Sequence, residues 1–73
     1  MLDIYENLEN QTKKYVNIEL RAAQLDPSRK EKCLERAYGS VYFSANYLFP
    51  CYNTNLVKWW DGILDEFRKI KDV

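Results

Sequence analysis

Apolar residues recur along this chain at the three- and four-residue spacing of a helix face, in three successive rows. Ile4, Leu8, Tyr15, Ile18, Ala22 and Leu25 make the first, with Gln11 as its polar exception. The second runs through Leu34, Tyr38, Val41, Ala45, Leu48 and Tyr52, and the third through Leu56, Trp60, Ile63, Phe67 and Ile70. Residues so spaced stack along one side of a helix, whereas a half-buried strand would alternate at every second position. No stretch of useful length alternates in that way. The pattern predicts an all-α fold, a three-helix bundle with neighbouring helices antiparallel.

Two breaks separate the rows. In "LDPS", Asp26 is placed to cap a helix whose first residue is Pro27, and Ser28 with Glu31 offers a competing capping box. In "FPCYNTN", Pro50 disfavours helical geometry at Phe49, and Asn53, Thr54 or Asn55 can cap the third helix. One domain over residues 1–73 is expected, with helices at about 2–25, 27–49 and 55–71. Secondary apolar rows flank the main ones: Leu2, Val16 and Leu20 on the first helix, Val57 and Leu64 on the third. Of the adjacent Trp59 and Trp60, the second fits the seam and the first lies on its flank.

A rotation of about 100° per residue divides the aromatic middle helix into faces. Leu34, Ala37, Val41, Ala45 and Leu48 centre the apolar arc, with Tyr38 and Phe49 on one flank. Cys33, Ser44 and Cys51 form an edge of small residues, where a neighbouring backbone can come close. Phe43 and Tyr47 point away from this core, beside Arg36, Gly39 and Asn46. A mid-helix glycine costs about 1 kcal/mol relative to alanine, so Gly39 suggests a point where another surface docks.

Composition sharpens the expectation of a partner. A chain of 73 residues buries only about 60% of the surface its unfolded form exposes, which makes its core marginal. Its residues are 47% hydrophobic and 15% aromatic, more apolar surface than one short bundle readily hides. Self-association relieves such a surplus, and a homodimer is expected. The expected interface is Arg36, Gly39, Phe43 and Tyr47, with the two aromatics as anchors and Arg36 as a polar rim contact.

Charge gives a second, weaker reading. Eleven Lys+Arg balance eleven Asp+Glu, so the general attraction for nucleic acid is missing. Yet Arg29, Lys30, Lys32 and Arg36 crowd the start of the second helix, where cations oppose the helix dipole and can mark an anion contact. Arg21, Arg68, Lys69 and Lys71 would join them at one end of an up-down-up bundle, giving eight cations. Glu19, Asp26, Glu31, Glu35, Asp65, Glu66 and Asp72 lie at the same end, so a salt-bridge-laced surface is the simpler expectation, with Asp65 facing Lys69. A regulatory or nucleic-acid-associated domain using Arg29, Lys30, Lys32 and Arg36 remains the alternative, with Arg29, Lys30 and Lys32 as the anion contact.

The residues argue against catalysis. Histidine is absent, which removes the commonest general base and metal ligand. Two cysteines cannot build a four-thiolate centre, and neither glycine belongs to a phosphate loop. Cys33 and Cys51 lie 51 − 33 = 18 residues apart. On one helix that is roughly 27 Å, too far for a disulfide. No enzyme, metal or cofactor is expected. An apolar ligand between Tyr38, Tyr42 and Trp60 would need a cavity that sequence cannot display. The acidic opening "MLDIYENLEN" does not resemble a signal peptide and no apolar run reaches membrane-spanning length, so a cytoplasmic protein is expected. Its wealth of Lys, Asn and Tyr suits an AT-rich bacterial or phage genome.

Overall fold

The computed structural model describes residues 4–47 and 54–71, exclusive of the side chains at 5, 46, 47, 54 and 55. The expectations placed on Leu2, Leu48, Phe49, Pro50, Cys51, Tyr52 and Asn53 lie outside these residues. The chain forms three helices, α1 (Ile4–Leu25), α2 (Lys30–Tyr47) and α3 (Thr54–Lys69), as an all-α bundle. Among the described residues there is no strand.

Pro27 ends α1, because its ring disfavours helical geometry at the residue before it. Asp26 accordingly sits at φ −140° and ψ 85°, although its N–H still donates to the Ala22 carbonyl at 3.0 Å. Pro27–Arg29 then makes one 3₁₀ turn, which hands the chain to α2. The Asp26 carboxylate does not cap a backbone N–H as expected. It accepts from the Ser28 hydroxyl at 2.6 Å instead.

So short a connection sends α2 back along α1, and the cross-contacts confirm it. Thr12 meets Ser44 and Glu19 meets Arg36, so rising numbers on one helix match falling numbers on the other. The pairs Tyr38 with Trp60 and Lys30 with Ile70 make α2 and α3 antiparallel in the same way. Lys30 Nζ donates to the Ile70 carbonyl at 3.1 Å, tying the start of α2 to the end of α3.

Val16, Ala23, Cys33, Ala37, Val41, Trp60 and Phe67 form one buried cluster, with Leu20, Leu34, Trp59, Ile63 and Leu64 packed against it. On α3 the expected row is the observed one: Leu56, Trp60 and Phe67 are buried, and Ile63 and Ile70 are half-buried. On α1 the expectation is overturned. Thr12, Val16, Glu19 and Ala23 face the core, while Ile4, Tyr15, Ile18 and Leu25 are exposed; of the expected row only Leu8 and Ala22 are half-buried, and Ala22 packs against the core. At 100° per residue the buried row lies about a quarter turn from the apolar one. On α2 the small-residue edge, Cys33 and Ser44, joins Ala37 and Val41 at the centre, and Tyr38 is 55% exposed rather than a core residue.

The reason is a polar–polar match that hydropathy does not register. Buried hydroxyl and carboxylate groups are tolerated when each finds a hydrogen-bond partner, and small side chains let two helices approach closely. Thr12 and Ser44 satisfy one another, and Glu19 is held by Arg36, so this row of small and polar residues can close against α2. The product is a thin rod of 44 × 16 × 15 Å with a radius of gyration of 12.8 Å. A compact chain of this length would have roughly 11 Å. A rod this thin leaves much of each helix uncovered.

Candidate functional site

The buried rows fix which way each helix flank points. α3 lies over one side of the α1–α2 hairpin, where Lys13 Nζ stands 5.6 Å over the Trp59 ring and Tyr38 meets Trp60 at 6.4 Å. On the other side, the same rotation brings Tyr15, Ile18 and Ala22 of α1 beside Arg36 and Phe43 of α2. Among the described residues no helix covers that side. Phe43 is 64% exposed and Ile18 58% exposed.

A polar cluster occupies the middle of this face. Arg36 Nε donates to Glu19 Oε2 at 3.1 Å and Nη2 to Oε1 at 3.3 Å, a two-pronged grip on a nearly buried carboxylate. Burial pushes the Glu19 carboxyl up, but hydrogen bonds from Arg36 and Tyr15 outweigh it and hold the group below the usual carboxylate range. The Tyr15 hydroxyl is raised above its ordinary value, first by its bond to Glu19 and then by burial. Beneath them, burial and then Glu19 push the Cys33 thiol up, while Arg36 Nη2 approaches its sulfur at 3.9 Å. Cys33 is fully buried and stays a thiol at neutral pH, a packing residue rather than a nucleophile.

These positions sort the residues singled out in the sequence. Arg36 is on the uncovered face, but its guanidinium spans the α1–α2 seam instead of standing free at a rim. Gly39 is open to solvent, and a Cβ built there would meet nothing within 4 Å. Tyr47 closes α2, and its side chain lies outside the described residues. Sequence reasoning missed Tyr15 and Ile18, which it assigned to the core. The signal that finds them is the polar match Thr12–Ser44 and Glu19–Arg36, which turns α1 away from its apolar row.

Of the four cations at the start of α2, Lys30 and Arg36 are engaged within the molecule. Arg36 pairs with Glu19, Arg68 with Asp65 at 2.7 Å, and Lys69 with Glu66 at 3.6 Å, while Lys30 holds the Ile70 carbonyl. Half of the eight cations gathered at this end are therefore engaged, and Asp65 takes Arg68 rather than the expected Lys69. Arg29 and Lys32 are exposed. The described residues contain no group of three metal-ligating side chains, and no helix is long and apolar enough to cross a membrane. No family model, curated protein or solved structure matches the chain.

Proposed function

We propose that this chain is a small, non-enzymatic protein–protein interaction module that forms a homodimer through the side of the α1–α2 hairpin opposite α3. The observation that carries the reading is the exposure of Phe43 and Ile18 on that side, flanking the Glu19–Arg36 grip. A second copy is the occupant the chemistry favours. An antiparallel helix pair that is apolar on both sides is completed on one by α3 and on the other by an identical pair, which gives a four-helix layer. The net charge of zero opposes no such pairing.

The dimensions agree with this. α1 has 22 residues, which is a length of about 33 Å, and two helices side by side present a face about 20 Å wide. Their product, roughly 650 Å², approaches the ~800 Å² that each partner contributes to a standard interface. Phe43 and Ile18 would serve as anchors, Gly39 as a point of close approach, and Tyr15 and Arg36 as polar contacts.

Sedimentation tests this directly. The chain of 8.8 kDa should run near 2 × 8.8 = 17.6 kDa at high micromolar concentration. The double variant Phe43→Ser, Ile18→Ser should run as a monomer of unchanged helicity. A native protein that stays monomeric at high micromolar concentration overturns the proposal.

A further inference from the structure

On the α3 side of α2 lies an open groove of about 550 Å³, separate from the face just described. Leu34 and Leu64 line it with aliphatic surface, and the Tyr38 and Trp60 rings, 6.4 Å apart and tilted by 43°, add aromatic surface. Tyr42 stacks on Tyr38 at 6.0 Å and extends the aromatic wall. Glu31 and Glu35 border the groove four residues apart, and neither has an ion-pair partner among the described residues. Lys32 is the one cation in the lining, so two carboxylates face one ammonium, a balance of −1.

We infer that this groove binds a small alkylated ammonium ion. Aromatic faces attract cations through their quadrupoles, and carboxylates add a Coulomb term, so rings beside unpaired acids select positive charge. The aliphatic surface selects what that charge must carry. A bare ammonium or metal ion would have to shed its water against Leu34 and Leu64, whereas a quaternary nitrogen presents methyl groups there. An anion meets Glu31 and Glu35, and a neutral apolar molecule gains nothing from them. The groove's volume falls within the range of about 300–1,000 Å³ usual for small-molecule sites. The neighbouring indole gives an internal contrast: Trp59 already carries Lys13 over its ring, while among the described residues no cation stands over the Tyr38 ring, which is 55% exposed.

The test uses the full chain labelled with ¹⁵N, titrated at constant ionic strength with choline chloride. Its uncharged isostere, 3,3-dimethylbutan-1-ol, is titrated in parallel. Choline should move the Trp60 indole N–H resonance saturably and more than that of Trp59, with the alcohol binding roughly tenfold more weakly. The variant Glu31→Gln, Glu35→Gln changes two exposed positions and should remain folded by circular dichroism. It should bring choline down to the alcohol's affinity and leave the alcohol where it was. Tyr38→Leu keeps apolar bulk, removes the ring and should also weaken choline selectively. The inference is overturned by equal titration with the alcohol, by choline binding that survives the double variant, or by the absence of a saturable shift at Trp60.

Discussion

The two sides of the α1–α2 hairpin make an instructive pair. On one, Leu20 and Leu34 are packed beneath α3, whose Trp60 and Phe67 close the core. On the other, Tyr15, Ile18 and Phe43 stand exposed around a charged grip. Apolar surface is present on both, so hydrophobicity alone does not decide which side folds inward. What differs is the cover: one side has a helix of its own chain, and among the described residues the other has none. The first side should therefore govern folding and the second association, and substitutions should separate the two.

The largest separation is expected from phenylalanine. Phe67 is 1% exposed, and truncating such a side chain to alanine typically costs about 3–5 kcal/mol. A domain of this size rarely holds more than ~3–5 kcal/mol in total, so Phe67→Ala should abolish the cooperative urea transition. Phe43→Ala, at low protein concentration where the chain is monomeric, should shift that transition by no more than ~0.5 kcal/mol. Comparable losses from the two changes would mean that both sides belong to one core, and the contrast would collapse.

Next comes the grip on the uncovered side. Arg36→Ala strips a nearly buried carboxylate of its strongest donor and should lower the urea midpoint, by less than Phe67→Ala does because Arg36 is itself half-exposed. The pH dependence comes from the lowered Glu19 pKa. Because the folded value lies below the ordinary carboxyl value of 4.5, the pair contributes stability above that pH and loses it as pH falls through the folded value. Glu19→Gln should flatten the urea midpoint in this acid range. If the variant falls away with acid as steeply as the native protein, Glu19 is not the titrating group.

These residues also explain why the sequence reveals one side better than the other. α3 is legible because its core contacts are large and apolar, and Leu56, Trp60 and Phe67 mark their own face. The break at Pro27 and the antiparallel order are legible because a short connection leaves little choice. α1 misleads because its buried row is Thr12, Val16, Glu19 and Ala23, of which two are polar. Hydropathy counts Glu19 and Thr12 as solvent-facing, since it cannot see that Arg36 and Ser44 wait across the seam. The same rotation that hid this row displaced Tyr15 and Ile18 from the expected core to the candidate interface. Phe43 and Gly39, by contrast, stand out in sequence because they break the pattern of their own helix.

The hydroxyl pair between the two sides tests that explanation at smaller amplitude. Ser44→Ala leaves the buried Thr12 hydroxyl without its partner across the seam, which should cost about 1 kcal/mol. Adding Thr12→Val removes the orphaned group, and the double variant should recover most of the loss. Additive losses in thermal or urea melts would show that Thr12 and Ser44 are not coupled, and the polar match would no longer account for the rotation of α1.

Gly39 sets the finest test, because a side chain there should act with opposite signs on the monomer and on the proposed dimer. A methyl group enters open space, so Gly39→Ala should stabilise the monomer by ~0.5–1 kcal/mol through helix propensity alone. If a second copy packs closely beside Phe43, the same methyl must weaken the dimer. Urea melts at low concentration and sedimentation at high concentration therefore ought to move in opposite directions for a single substitution. A variant that gains stability with an unchanged dimerisation constant would remove Gly39 from the interface while leaving Phe43 and Ile18 in it. That result would shift the contact toward α1, where the apolar row of Tyr15 and Ile18 already lies.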